Sequence, residues 1–132
     1  MLFFNVFSNV KTLKTNIYTS VSSSFEKEFP DATQVTWKKE NTRYEAFFII
    51  DGFKQSAVFN KQGKLLEKEM KIVKELLPAK INSYLAVNYG GQKIKHAAKI
   101  TDDQGDIVYE TTIKNTNIVF DSEGNFMTQN KE

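Results

Sequence analysis

The chain writes one phrase twice. Residues 57–65 read AVFNKQGKL, and residues 118–126 read IVFDSEGNF. Each has apolar residues ending in Phe, a short polar run, a Gly, and a return to apolar character. Asn, Asp and Gly between apolar runs mark a tight turn between strands, with Gly at the position that needs positive φ. Phe59 and Phe120 lie 61 residues apart, and so do Gly63 and Gly124. The echo extends upstream, because Tyr44-Glu45 returns as Tyr109-Glu110 at an offset of 65, and Phe29 as Tyr89 at 60. A longer loop around DDQGD and a shorter one at KNTN account for the drift, since hairpin loops absorb insertions most easily. Two copies are too few for a solenoid, so the pattern implies a shared sheet with two helices.

The local signals fit that outline. Val10, Leu13, Ile17, Val21, Phe25 and Phe29 recur at helical spacing and predict a helix over about 12–29. Pro30 stops it by pushing the preceding residue out of the helical region. Val35 and Trp37 alternate with polar neighbours as on a half-buried strand, and YEAFFII follows. Asp51-Gly52 is a two-residue hairpin turn, from which FKQSAVF pairs back and KLLEKEM returns. The pattern then restarts. Pro78 suits a first helical turn, and Ile81, Tyr84, Leu85 and Tyr89 keep helical spacing until Gly90-Gly91. Strands KIKHAAKI, IVYETTI and IVF-turn-NFMTQ complete it. The expected fold is α+β: two tandem helix-plus-antiparallel-meander repeats, about 17–70 and 76–128. They would form one curved antiparallel sheet with both helices on one face, in a single domain over 1–132.

Composition removes several function classes. No cysteine is present, so disulfide frameworks, thiolate zinc sites and cysteine nucleophiles are excluded. The formal charge of +2, with charges scattered along the chain, gives no basic stripe for nucleic acid. No apolar run approaches the ~20 residues of a membrane span. The opening MLFFNVFSNV is apolar but has no basic n-region or small-residue cleavage site. Residues 1–10 are therefore read either as a flexible apolar segment or as a signal remnant.

Candidate chemistry is sparse. His96 is the single histidine, and with no Cys beside it a transition-metal site lacks its usual strong ligands. TDDQGD and DSEGN have neither the length nor the closing Glu of a calcium loop, and their Asp and Gly are what turns require. The glycines of NYGGQK follow a helix instead of opening one, so they stop it and cradle no phosphate. Neither a metal nor another cofactor is expected. Glu45 and Glu110 occupy equivalent places and suggest cross-strand pairing with Lys or Arg. Lys38-Lys39 reads as the solvated part of a strand.

One stretch is unusual. In RYEAFFIID, Tyr44, Ala46, Phe48 and Ile50 share one strand face, while Glu45, Phe47, Ile49 and Asp51 share the other. Both faces are apolar in the middle. If helices cover one of them, the other offers aromatic surface to a partner. Alternatively the N-terminal segment, a long loop or a second subunit covers it. Trp37, Tyr44, Phe47, Ile49 and Tyr109 are the candidate partner-binding residues.

The run FEKEFPDATQVTW, then RYEAFF, AVFNKQGKLL and LPAKINSYL, resembles the PepSY-like, β-lactamase-inhibitor-like proteins. The resemblance rests on Phe29-Pro30, Trp37, Tyr44-Glu45, Phe59 to Gly63, Leu77-Pro78 and Tyr109-Glu110, and covers about residues 17–127. His96 stands where the first copy has Trp37. The resemblance implies an antiparallel sheet with helices on one face. It also implies a periplasmic or secreted protein of a family without an established activity. Together with the two-faced strand it leads to the expectation of a non-enzymatic binding or inhibitor-like module. The partner it implies is another protein, such as a peptidase or other enzyme, or a second copy. Two further readings stay open: a small enzyme using His96, Glu45 or Tyr109 in a cleft, and a structural, dimerising domain.

Overall fold

The computed structural model describes residues 12–13 and 17–131. They form two compact units that divide between Glu69 and Met70. The first contains β1 (Thr12–Leu13), α1 (Thr19–Glu28), β2 (Thr33–Glu40), β3 (Arg43–Ile50), β4 (Phe53–Asn60) and the start of β5 (Leu65–Lys71). The second contains a 3₁₀ turn (Lys74–Leu76), α2 (Ala79–Asn88), β6 (His96–Asp102), β7 (Ile107–Ile113), β8 (Thr116–Asp121) and β9 (Phe126–Lys131). The class is α+β, as the sequence indicates. Within each unit the strands pair antiparallel in chain order.

In the first unit, Val21, Phe25 and Phe29 follow one another at the four-residue spacing that lines one helix face. They pack on Tyr44, Ala46 and Phe48 of β3 and on Ala57 and Phe59 of β4. Phe25 is the hub, with ring centroids 5.1 Å from Phe48, 5.3 Å from Trp37 and 6.3 Å from Phe59, all steeply inclined. Burying such a side chain contributes roughly 1.5–3 kcal/mol, to which edge-to-face pairs add. The helix is shorter than its apolar spacing predicts. Tyr18 is still extended at φ −53°, ψ 139°, and α1 begins at Thr19. Thr12 and Leu13 instead pair with Lys38 and Trp37 on β2, where the strand ladder satisfies their backbone. Val10 and the 1–10 segment lie outside the described residues.

The repeated phrase has the same job in each unit. Asn60 Oδ1 accepts the backbone N–H groups of Gln62 and Lys64 at 3.0 and 2.9 Å. Asp121 Oδ1 accepts those of Glu123 and Asn125 at 3.0 and 2.8 Å. Each side chain closes its own turn and leaves the glycine at positive φ, +89° for Gly63 and +90° for Gly124. A second constraint also explains the glycines. A Cβ on Gly63 would lie 2.3 Å from the Ser20 carbonyl oxygen at the start of α1. One on Gly124 would lie 3.1 Å from Lys80 Cβ at the start of α2. The turns lie against their own helices, and Ser20 Oγ donates to the Lys61 carbonyl at 2.7 Å while Lys80 Nζ donates to Asn125 Oδ1.

In the second unit, Leu77 and the α2 residues Ile81 and Leu85 pack on Ala97, Ile113, Ile118 and Phe120. Pro78 sits at the N-cap, just before the first helical residue. Tyr84 closes the margin, 5.4 Å from both Phe120 and Phe126.

Candidate functional site

The two-faced strand β3 positions the first unit's polar and apolar surface. Tyr44, Ala46 and Phe48 point to α1 and are 2, 0 and 2% exposed. Strand alternation sends Glu45, Phe47 and Ile49 to the opposite face, where Phe47 and Ile49 are half-buried. The register sets Lys38 and Val58 opposite Glu45, and Thr36 and Ser56 opposite Phe47. Lys38 Nζ lies 5.0 Å from the Phe47 ring centroid, a cation–π contact.

Glu45 is the most perturbed group of this face. It is 2% exposed, and its Oε1 has no hydrogen-bond partner. Burial pushes its carboxyl up to about 7. The Ser56 hydroxyl and the Lys38 ammonium oppose that rise, while the Glu67 and Glu40 carboxylates add to it. A neutral acid is less costly to bury than a carboxylate, so the site favours the proton. Glu40 Oε2 is likewise buried without a hydrogen-bond partner.

The structure sorts the residues read from the sequence. Trp37 packs on the α1 core and Tyr44 lies within it, so neither is open surface. Tyr109 faces α2 at the margin of the second core, with Lys99 and Phe120 directly opposite it. Phe47 and Ile49 alone among the five lie on a face away from the helix of their unit. In the strand register Lys38 stands directly opposite Glu45, and Ala98 and Val119 stand directly opposite Glu110. His96 is exposed and opposite Thr112, which alternation places on the other sheet face from Tyr109. His96 and Tyr109 therefore do not form an acid–base pair. The sequence reading missed Lys38, Ser56 and Glu40 as the neighbours of Glu45. A two-residue turn at Asn41-Thr42 would have placed Lys38 across from Glu45.

Both acidic turns use their aspartate on their own backbone. Asp102 Oδ1 accepts the N–H groups of Gln104 and Asp106 at 2.9 Å each. The corresponding bonds to Asp121, that from the Asn125 N–H foremost, hold its carboxyl below the usual range. Among the described residues, no group of three His, Asp or Glu side chains could hold a metal ion. No helix among them is long and apolar enough to cross a membrane.

Solved structures share this fold at low identity. A candidate periplasmic protein from Bacteroides eggerthii matches with a TM-score of 0.82 at 16% identity, over 89% of this chain and 90% of that one. A DUF2874 family protein from Bacteroides uniformis matches at 0.74 and 18% identity, over 86% and 88%. A BLIP-like protein from Bacteroides fragilis matches at 0.71 and 14% identity, over 89% and 87%. No family model matches the chain, and no curated protein does. At these identities the likeness is one of fold, which carries no activity with it.

Proposed function

We propose that this chain is a non-enzymatic binding module of the PepSY-like, inhibitor-like kind, working outside the cytoplasm. It presents the face of β3 opposite α1 to a protein partner, either another enzyme such as a peptidase or a second copy. One observation carries this: Phe47 and Ile49 leave apolar surface on the face that α1 does not cover, flanked by Lys38. Aromatic surface rimmed by charge suits a protein interface. The BLIP-like and candidate periplasmic descriptions of the structural neighbours support the class and the location. The surface is narrower than the sequence suggests, because Trp37, Tyr44 and Tyr109 belong to the helix sides.

The test compares proteins retained from a periplasmic extract by the wild type, by Phe47→Asp/Ile49→Asp and by Val87→Asp. Val87 is 83% exposed on α2 and serves as the control. A partner retained by wild type and control but lost with the double variant supports the reading, given unchanged circular dichroism. Equal retention by a folded double variant rules this face out. Sedimentation of the wild type at high concentration separates a second copy from a foreign partner.

A further inference from the structure

The second unit contains an open groove of about 320 Å³ between residues 71–75 and residues 94–97. Lys71, Lys74, Lys95 and His96 surround it, and Ile72 and Ile94 line it with apolar surface. Glu75 is the one acid among the lining residues. Lys74 and Lys95 stand exposed on either side of it.

The walls are fixed by backbone bonds. The Ile72 N–H donates to the Ala97 carbonyl at 3.0 Å, and the Lys95 N–H to the Thr112 carbonyl at 2.7 Å. Asn82 Nδ2 donates to the Lys74 carbonyl at 3.2 Å, which ties the 3₁₀ turn to α2. Ile72 and Ile94 are packed against the core of this unit. A groove held this way needs little ordering when a ligand enters. Val73, one of the lining residues, is 53% exposed, a large apolar side chain with room for a neighbour.

We propose that this groove binds an acidic, partly apolar segment of a protein partner. The lysines are flexible point charges suited to scattered carboxylates. The lining of Ile72, Val73 and Ile94 takes the segment's apolar side chains. An inorganic anion would use the charges and leave the apolar surface idle. This site lies in the second unit and does not rest on the face of β3.

The experiment selects heptapeptides from a displayed random library on the intact protein, then measures synthetic copies of the enriched sequences by fluorescence anisotropy. Enriched peptides are expected to combine Asp or Glu with apolar residues and to bind more weakly at high salt. Lys74→Glu/Lys95→Glu, at two exposed positions, should weaken them about tenfold or more, equal to about 1.4 kcal/mol, while Val87→Asp leaves them unchanged. Absence of enrichment, enrichment of peptides without acidic residues, or equal binding by a folded double variant overturns the proposal. So does millimolar inorganic phosphate shifting the amide resonances of residues 71–75 and 94–97 while no peptide binds, which would mark a small-anion site.

Discussion

Glu45 couples the β3 face to pH. Its carboxyl has a folded-state pKa of about 7 against an ordinary 4.5, so between those values the folded chain holds more proton than the unfolded one. Stability from this group is therefore complete below pH 4.5 and lost as pH rises through 7. The span corresponds to about 3 kcal/mol at most. Urea denaturation should show the wild type more stable at pH 5 than at pH 8, and Glu45→Gln should flatten that slope. An unchanged slope in the variant would place the titrating group elsewhere. The sequence reading singled out Glu45, yet its shift was not legible there. It arises from burial first, with the Glu67 and Glu40 carboxylates on other strands adding to it, and both depend on how the strands come together.

The elements were legible where punctuation is chemical and illegible where spacing alone decided. Asp51-Gly52 forms its expected turn, with φ of +50° and +82°. The end of α1 sits where Pro30 demands it, but its start does not follow Leu13 and Ile17, because strand pairing with β2 outweighs apolar periodicity. The glycines allow a sharper test. Gly52 and Gly63 both have positive φ, but a Cβ meets nothing within 4 Å at Gly52 and the Ser20 carbonyl at 2.3 Å at Gly63. Gly52→Ala should cost only the backbone strain of about 1–2 kcal/mol. Gly63→Ala should cost clearly more, since the turn must also move away from α1. Equal losses in denaturation would mean that the turn does not sit against Ser20. Phe25→Ala, which removes the hub of the first core, should cost about 3–5 kcal/mol.

At the scale of the molecule, the α+β class was legible because the same apolar and turn pattern occurs twice, and the class needs little more than that pattern. Neighbours at 14–18% identity keep the fold, so the residues on its faces are free to differ. A single sequence gives no partner's chemistry to match such faces against. We infer that the two units are copies of one ancestral helix-plus-meander, and their turns make the inference testable. Asn60 and Asp121 accept the same pair of backbone N–H groups, and Gly63 and Gly124 share one conformation. Between the shared Phe and the shared Gly the phrases differ at all three positions, Asn-Lys-Gln against Asp-Ser-Glu. Exchanging these triplets between the units should change stability by less than about 1 kcal/mol, because Asn and Asp both cap such turns and the other side chains are exposed, Lys61 giving up only its surface contact with the Tyr18 ring. A loss of several kcal/mol in either chimera, with the glycines retained, would show that each turn is fitted to its own unit and that the likeness is convergent.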